Sequence, residues 1–261
     1  MDIRRGLKLR LKLRLKLPLN VLLNLLLVSP LALALAGCAT HRVLDHAAVD
    51  AELRMGTPGL GTGGGYTGGP LRFPLRLGIV HREPETRPDA THAMRWSPNE
   101  IDPGRLEPLL RAGLVSEVVE LPGHVPASAT LADLRATARE QGVDAVLVLD
   151  AAGDTVRNTN KWAWTYLTIV GGWLVPGSRA DCLAVVRGTL WGLDGGAPYT
   201  TVTAEGEAFQ LAPAFLLDSD KVMREARGMA LDQFFQELGK AMRRVADIHG
   251  NPRLRARSNG R

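Results

Sequence analysis

The chain has 261 residues, 45% hydrophobic and 23% charged, with a formal charge of +5. The excess sits at the front. Residues 1–17 hold seven basic residues against Asp2, and removing these from 32 basic and 27 acidic leaves 25 against 26. That balance removes the case for a nucleic-acid surface, which needs a basic field on the folded part. Two cysteines likewise exclude a disulfide framework.

The basic stretch is followed by an almost wholly apolar run over residues 19–36, broken by Asn20, Asn24, Ser29 and Pro30. A basic region, an apolar region and small residues at a cleavage point together make a secretory signal. Arg4-Arg5 meets only the start of a twin-arginine pattern, so general secretion is the reading. The run ends in Leu35-Ala36-Gly37-Cys38. That tetrapeptide resembles the lipobox of bacterial lipoproteins. The resemblance implies a diacylglycerol on the Cys38 sulfur, cleavage after Gly37 and acylation of the new amino terminus. Each buried methylene contributes about 0.8 kcal/mol, and more than one chain makes a stable anchor. Residue 39 is Ala rather than Asp. By the enterobacterial sorting rule this favours the outer membrane, with the domain facing the periplasm.

Residues 38–74 read as the lipidated cysteine plus a glycine-rich tether. Eight of the fourteen residues from Gly56 to Gly69 are glycine, and such a segment buries too little to offset its ordering entropy. A flexible tether of that length has a reach of roughly 30–35 Å. A phosphate loop would need a strand before the glycines and a helix after them, and neither is predicted there.

A single α/β domain is expected over 75–248. "LRLGIVH" (75–81) is a buried strand. Ser97 and the acids after it mark a helix start, and "PGRLEPLLRAG" is a short helix stopped by Gly113. "VSEVVELP" is a second strand. "TLADLRATAREQG" is an amphipathic helix with Thr130 as cap, Gly142 as stop, and Leu131, Leu134 and Ala138 on one face. "VDAVLVLD" (143–150) is a third strand, apolar enough to be covered on both faces. This β-α-β-α-β order predicts a mostly parallel core within a mixed sheet. Antiparallel strands follow: "WAWTYLTIVGGWLVPG", "ADCLAVVRGTLWGLD" and "APYTTVTAEGEAF", the last two joined at Asp194-Gly195-Gly196. A long C-terminal helix runs from about Ser219 to Asp247. Its stripe is Val222, Ala226, Ala230, Phe234, Leu238, Met242 and Val245. Residues 249–261 form a basic tail, expected to be disordered.

The segments "PLRLGIVHRE", "GVDAVLVLD", "WTYLTIVGGWLVPG" and "ADCLAVVRGTLWGLDGG" resemble, in order and spacing, the rhombotarget lipoproteins of bacteria. The likeness spans about residues 70–245 plus the lipobox. The α/β order is also similar to the periplasmic domains of curli-secretion-type accessory lipoproteins. The resemblance implies an envelope accessory role and brings no catalytic residues. The basic tail here is not an apolar C-terminal helix, so a sorting role is not implied for this chain.

Chemistry-bearing residues are sparse. His81, Glu83, Glu85 and His92 lie close in sequence, but their spacing fits no zinc pattern and prolines break the stretch. No metal or cofactor is expected. "PGSRAD" lacks the second glycine of a hydrolase elbow. His81 and Asp150 end two predicted parallel strands, where open α/β sheets place ligands. They are the candidate ligand site, and the basis of an alternative reading as a small periplasmic hydrolase or ligand-binding enzyme. Trp173 and Leu174, at the bend of the most hydrophobic segment, are the candidate patch for an envelope protein partner. Cys182 lies in an apolar strand and is expected to be buried and inert. The principal reading is a non-enzymatic accessory lipoprotein held to the membrane through Cys38.

Overall fold

The computed structural model describes residues 42–55, 71–82, 92, 94–96, 101–121, 130–159, 176–194 and 197–248. Its elements in chain order are α1 (His46–Met55), β1 (Leu75–His81), α2 (Pro103–Arg111), β2 (Val115–Glu120), α3 (Leu131–Glu140), β3 (Ala145–Thr159), β4 (Ser178–Gly192), β5 (Thr200–Ala212), a 3-10 turn (Ala214–Leu216) and α4 (Ser219–Ile248).

Local chemistry sets the helix ends. Asp102 caps α2 by accepting the Gly104 N–H at 2.9 Å, with Pro103 at the first turn. Thr130 and Asp133 form a capping box on α3, which satisfies two otherwise orphaned N–H groups. Asp218 accepts the Lys221 N–H at 2.9 Å and starts α4. Gly113 and Gly142 follow α2 and α3 with φ of +66° and +64°, the left-handed turn that ends a helix cheaply only at glycine.

The five strands lie in the order β2-β1-β3-β4-β5. β1 is parallel to both β2 and β3. β3, β4 and β5 are successively antiparallel. The expected mixed α/β sheet with a long C-terminal helix is thus the observed one. One face carries α2 and α4. Leu106 and Leu109 join Leu75, Leu77, Leu147, Val186 and the whole expected stripe of α4 in the main core. The other face carries α3 on Val80, Val146, Val148 and Trp191, and α1 on Ala152, Leu183 and Val185. Among the described residues no helix is long and apolar enough to cross a membrane.

Three expectations change. First, the third strand does not stop at Asp150. It continues to Thr159, and all fifteen residues pair with β4. β1 reaches only Leu149, so the second half of β3 has β4 on one side and no β1 on the other. Second, the segment read as tether contains α1. Val49 and Leu53 are 0% and 3% exposed, and Arg42–Arg261 forms one compact unit. The folded domain therefore starts at Arg42, not at residue 75; Leu71 and Phe73 are also buried. Third, the carboxyl-end placement of His81 and Asp150 does not bring them together.

Cys38, the glycines from 56 to 70, Glu83, Glu85, residues 160–175 with Trp173 and Leu174, Gly195-Gly196 and the basic tail lie outside the described residues.

Candidate functional site

The pleat decides the fate of the expected pair. His81 stands opposite Leu149 across the β1–β3 ladder, so the two share a face. Asp150 is the next residue, and successive side chains on a strand point to opposite faces. His81 accordingly faces the α2/α4 side. Its ring lies 4.9 Å from that of Trp96, tilted by 33°, and its Nδ1 is 3.5 Å from Glu120. Asp150 faces the α1/α3 side. His92, the other histidine of the sequence cluster, pairs instead with Asp154, its Nδ1 at 3.6 Å. The described residues contain no group of three metal-ligating side chains.

Around Asp150 is a chain of alternating charges that the sequence reading did not find. Asp150 is 7% exposed and Arg82 4%, and Arg82 Nη1 approaches Asp150 Oδ1 at 3.8 Å. Arg187 stands directly opposite Asp150 on β4. Its Nη2 donates to Asp50 of α1 at 2.9 Å, and Asp50 also pairs with Arg54 at 2.7 Å. Burial pushes the Asp150 carboxyl up to about 6, against the opposing pull of Arg82 and Arg187. Desolvation outweighs both cations here because the nearest is too far for a good hydrogen bond. Asp150 Oδ2 accepts no hydrogen bond among the described residues. The arrangement is a clasp: it holds α1 to the sheet through Arg187 and offers no open, paired acid and base.

A second feature lies further along β3. Past the end of β1, residues 92 and 94–96 lie at the open edge, and the Gly153 N–H donates to the His92 carbonyl at 2.8 Å. Asp154 is 6% exposed and accepts the Asp45 N–H at 3.1 Å. Between these residues, Arg42 and α4 is an open cleft of about 500 Å³.

Cys182 is fully buried in β4 and is a free thiol. Its Sγ lies 3.5 Å from Thr155 Oγ1 and 3.7 Å from the Ser219 carbonyl. Burial raises its pKa above that of an ordinary thiol, which suppresses the reactive thiolate. Under native conditions it should react with a disulfide reagent at least a hundredfold more slowly than after denaturation. Complete labelling within seconds would contradict this.

These charges leave a signal in the sequence. Asp150, Asp154 and Arg187 are charges inside "VLDAAGD" and "AVVRGTLW", runs otherwise apolar enough to be buried. Buried charges must be paired, but the partner of each is fixed by strand register, which the sequence does not display. No family model matches the chain. No curated protein matches it either.

Proposed function

We propose that the chain is a lipid-anchored accessory protein of the bacterial envelope. Cys38 carries the acyl chains, the outer membrane holds them, and the α/β domain works in the periplasm by binding an envelope partner rather than by catalysis. The observation that carries this is Leu35-Ala36-Gly37-Cys38 at the end of an apolar run, four residues before the folded unit begins at Arg42. Four residues in sequence separate Cys38 from Arg42, far fewer than the glycine tether expected. The long reach expected of a glycine tether is not available while α1 is docked.

The enzymatic alternative loses its premise. It needed His81 and Asp150 to share a crevice, and they occupy opposite faces of the sheet.

Cys38→Ser should move the protein from the membrane fraction to the soluble one, or leave an uncleaved precursor. Mass spectrometry of the wild type should show an amino terminus at Cys38 heavier by its acyl groups. An intact Met1 terminus in mature wild-type protein would refute the reading.

A further inference from the structure

We propose that one corner of the domain, where β3 and β5 end and the chain enters at Arg42, rests in the phospholipid leaflet that holds Cys38. This surface rests on the anchor reading above and goes beyond it by assigning the residues that face the bilayer. Among the described residues eight large apolar side chains are exposed. Five of them, Val43, Phe209, Leu211, Phe215 and Leu216, are 53–76% exposed. They belong to the chain entry, the end of β5 and the 3-10 turn that follows it. Single exposed apolar residues are normal on a folded domain, whereas their concentration in one place marks a contact surface.

Strand register brings these residues to one end of the sheet. Asn158 Nδ2 donates to the Arg42 carbonyl at 3.2 Å, which fixes where the chain enters the folded unit. Asn158 stands opposite Arg179 on β4, and Arg179 stands opposite Leu211 on β5. Directly opposed residues share a sheet face. Neighbouring strands lie about 4.8 Å apart, so Leu211 is two strands, about 10 Å, from the residue that holds Arg42. Ala212 ends β5 opposite Ser178, and the 3-10 turn comes next. Polarity along this face of β5 has a direction. Glu205 and Glu207 come first, held by His46 at 3.2 and 3.5 Å. Phe209 and Leu211 follow toward the strand end, with Arg179 4.8 Å from the centroid of the Phe209 ring. Carboxylates are set back and apolar groups lead, the order that suits a headgroup layer over acyl chains.

The occupant follows from the chain. Cys38 is four residues before Arg42 in sequence, so the end of the unit that carries the apolar cluster is the end at which the anchored chain arrives. Binding to lipid scales with buried apolar area, and a cluster of this size holds a protein only weakly by itself. Attachment through Cys38 makes the second contact intramolecular, at an effective concentration roughly in the millimolar range. A weak surface then suffices to orient the domain.

The test uses the acylated full-length protein in vesicles of phosphatidylethanolamine and phosphatidylglycerol. Leu216→Cys and, as control, Ile248→Cys each carry an environment-sensitive nitrobenzoxadiazole dye; Cys182 is fully buried and does not compete. Ile248 is 79% exposed. It lies about 44 Å along α4 from Ser219, at a rise of about 1.5 Å per residue. Brominated acyl chains should quench the dye at 216 at least threefold more than the dye at 248. Adding Phe209→Gln and Leu211→Gln should reduce the quenching at 216 at least threefold, with the melting temperature unchanged because both side chains are exposed. Equal quenching at 216 and 248, or quenching at 216 indifferent to the two substitutions, would overturn the surface. So would a dye at 216 that is shielded from iodide yet unquenched by brominated lipid, since protein rather than lipid then covers the patch. The mass of the amino terminus reports the anchor separately. Acylated protein without quenching at 216 refutes the surface alone, and quenching at 216 in protein without acyl groups refutes the anchor alone.

Discussion

Arg187→Ala should lower the unfolding free energy by roughly 3 kcal/mol, the upper end of what a hydrogen bond between charged groups contributes, since its partner Asp50 is 41% exposed and keeps access to water. Arg187 stands opposite the buried Asp150 in register and grips Asp50 at 2.9 Å. Its loss leaves Asp150 with Arg82 alone and removes one of the polar ties between α1 and the sheet, the contacts of His46 with Glu205 and Glu207 remaining. Denaturant titration gives the free energy. Limited proteolysis should show earlier cleavage within residues 42–55, because local undocking precedes global unfolding where few contacts hold an element. A loss below about 1 kcal/mol with unchanged proteolysis would show that Val49, Leu53 and the His46 contacts hold α1 without Arg187. The same clasp carries a pH signature. Asp150 has a folded-state pKa of about 6, above the ordinary carboxyl value, so the native state holds this proton more tightly than the unfolded chain. Its contribution is fully present below pH 4 and is lost as the pH rises through 6, by an amount on the order of 3 kcal/mol. In Asp150→Asn the pH dependence between 4 and 7 should flatten.

Phe234→Ala should cost a similar 3–5 kcal/mol and lower the melting temperature by roughly 10 °C. Phe234 is 0% exposed and sits in the middle of α4. Its ring fills the space left by Gly188 on β4, where an added Cβ would overlap it, and it meets Phe235 edge-on at 5.2 Å. Gly188 has no side chain to move into the vacated space, and of the neighbours there only the Leu149 methyl could lean in, so most of the cavity left by alanine should persist. Thermal unfolding followed by circular dichroism measures the effect. A drop of only a degree or two would mean that α4 slides to close the gap.

The parts of this architecture that sequence displays are those governed by short-range rules. The α4 stripe repeats every three to four residues and is buried as read, from Val222 to Val245. Thr130, Gly113 and Gly142 mark helix ends by chemistry local to a few residues. What stayed hidden depends on distant partners. Asp150 reads as a strand terminator because an aspartate is costly inside a sheet. It becomes tolerable only with Arg82 beside it and Arg187 across from it. α1 is hard to read because two buried apolar side chains in "HAAVDAELRM" give a faint amphipathic signal next to a glycine run. The separation of His81 from Asp150 turns on a one-residue register, and a slip of one residue exchanges the faces of a strand.

Docking of α1 changes what the glycine-rich stretch is for. With α1 seated on β3 and β4, residues 56–70 connect two packed parts of one domain, α1 before them and β1 after them. Closing such a loop costs entropy that grows only as the logarithm of its length, so doubling it weakens docking by about 0.6 kcal/mol. Insertions there would lengthen that connection without touching the contacts that dock α1, and the Arg187–Asp50 contact opposes the release of α1.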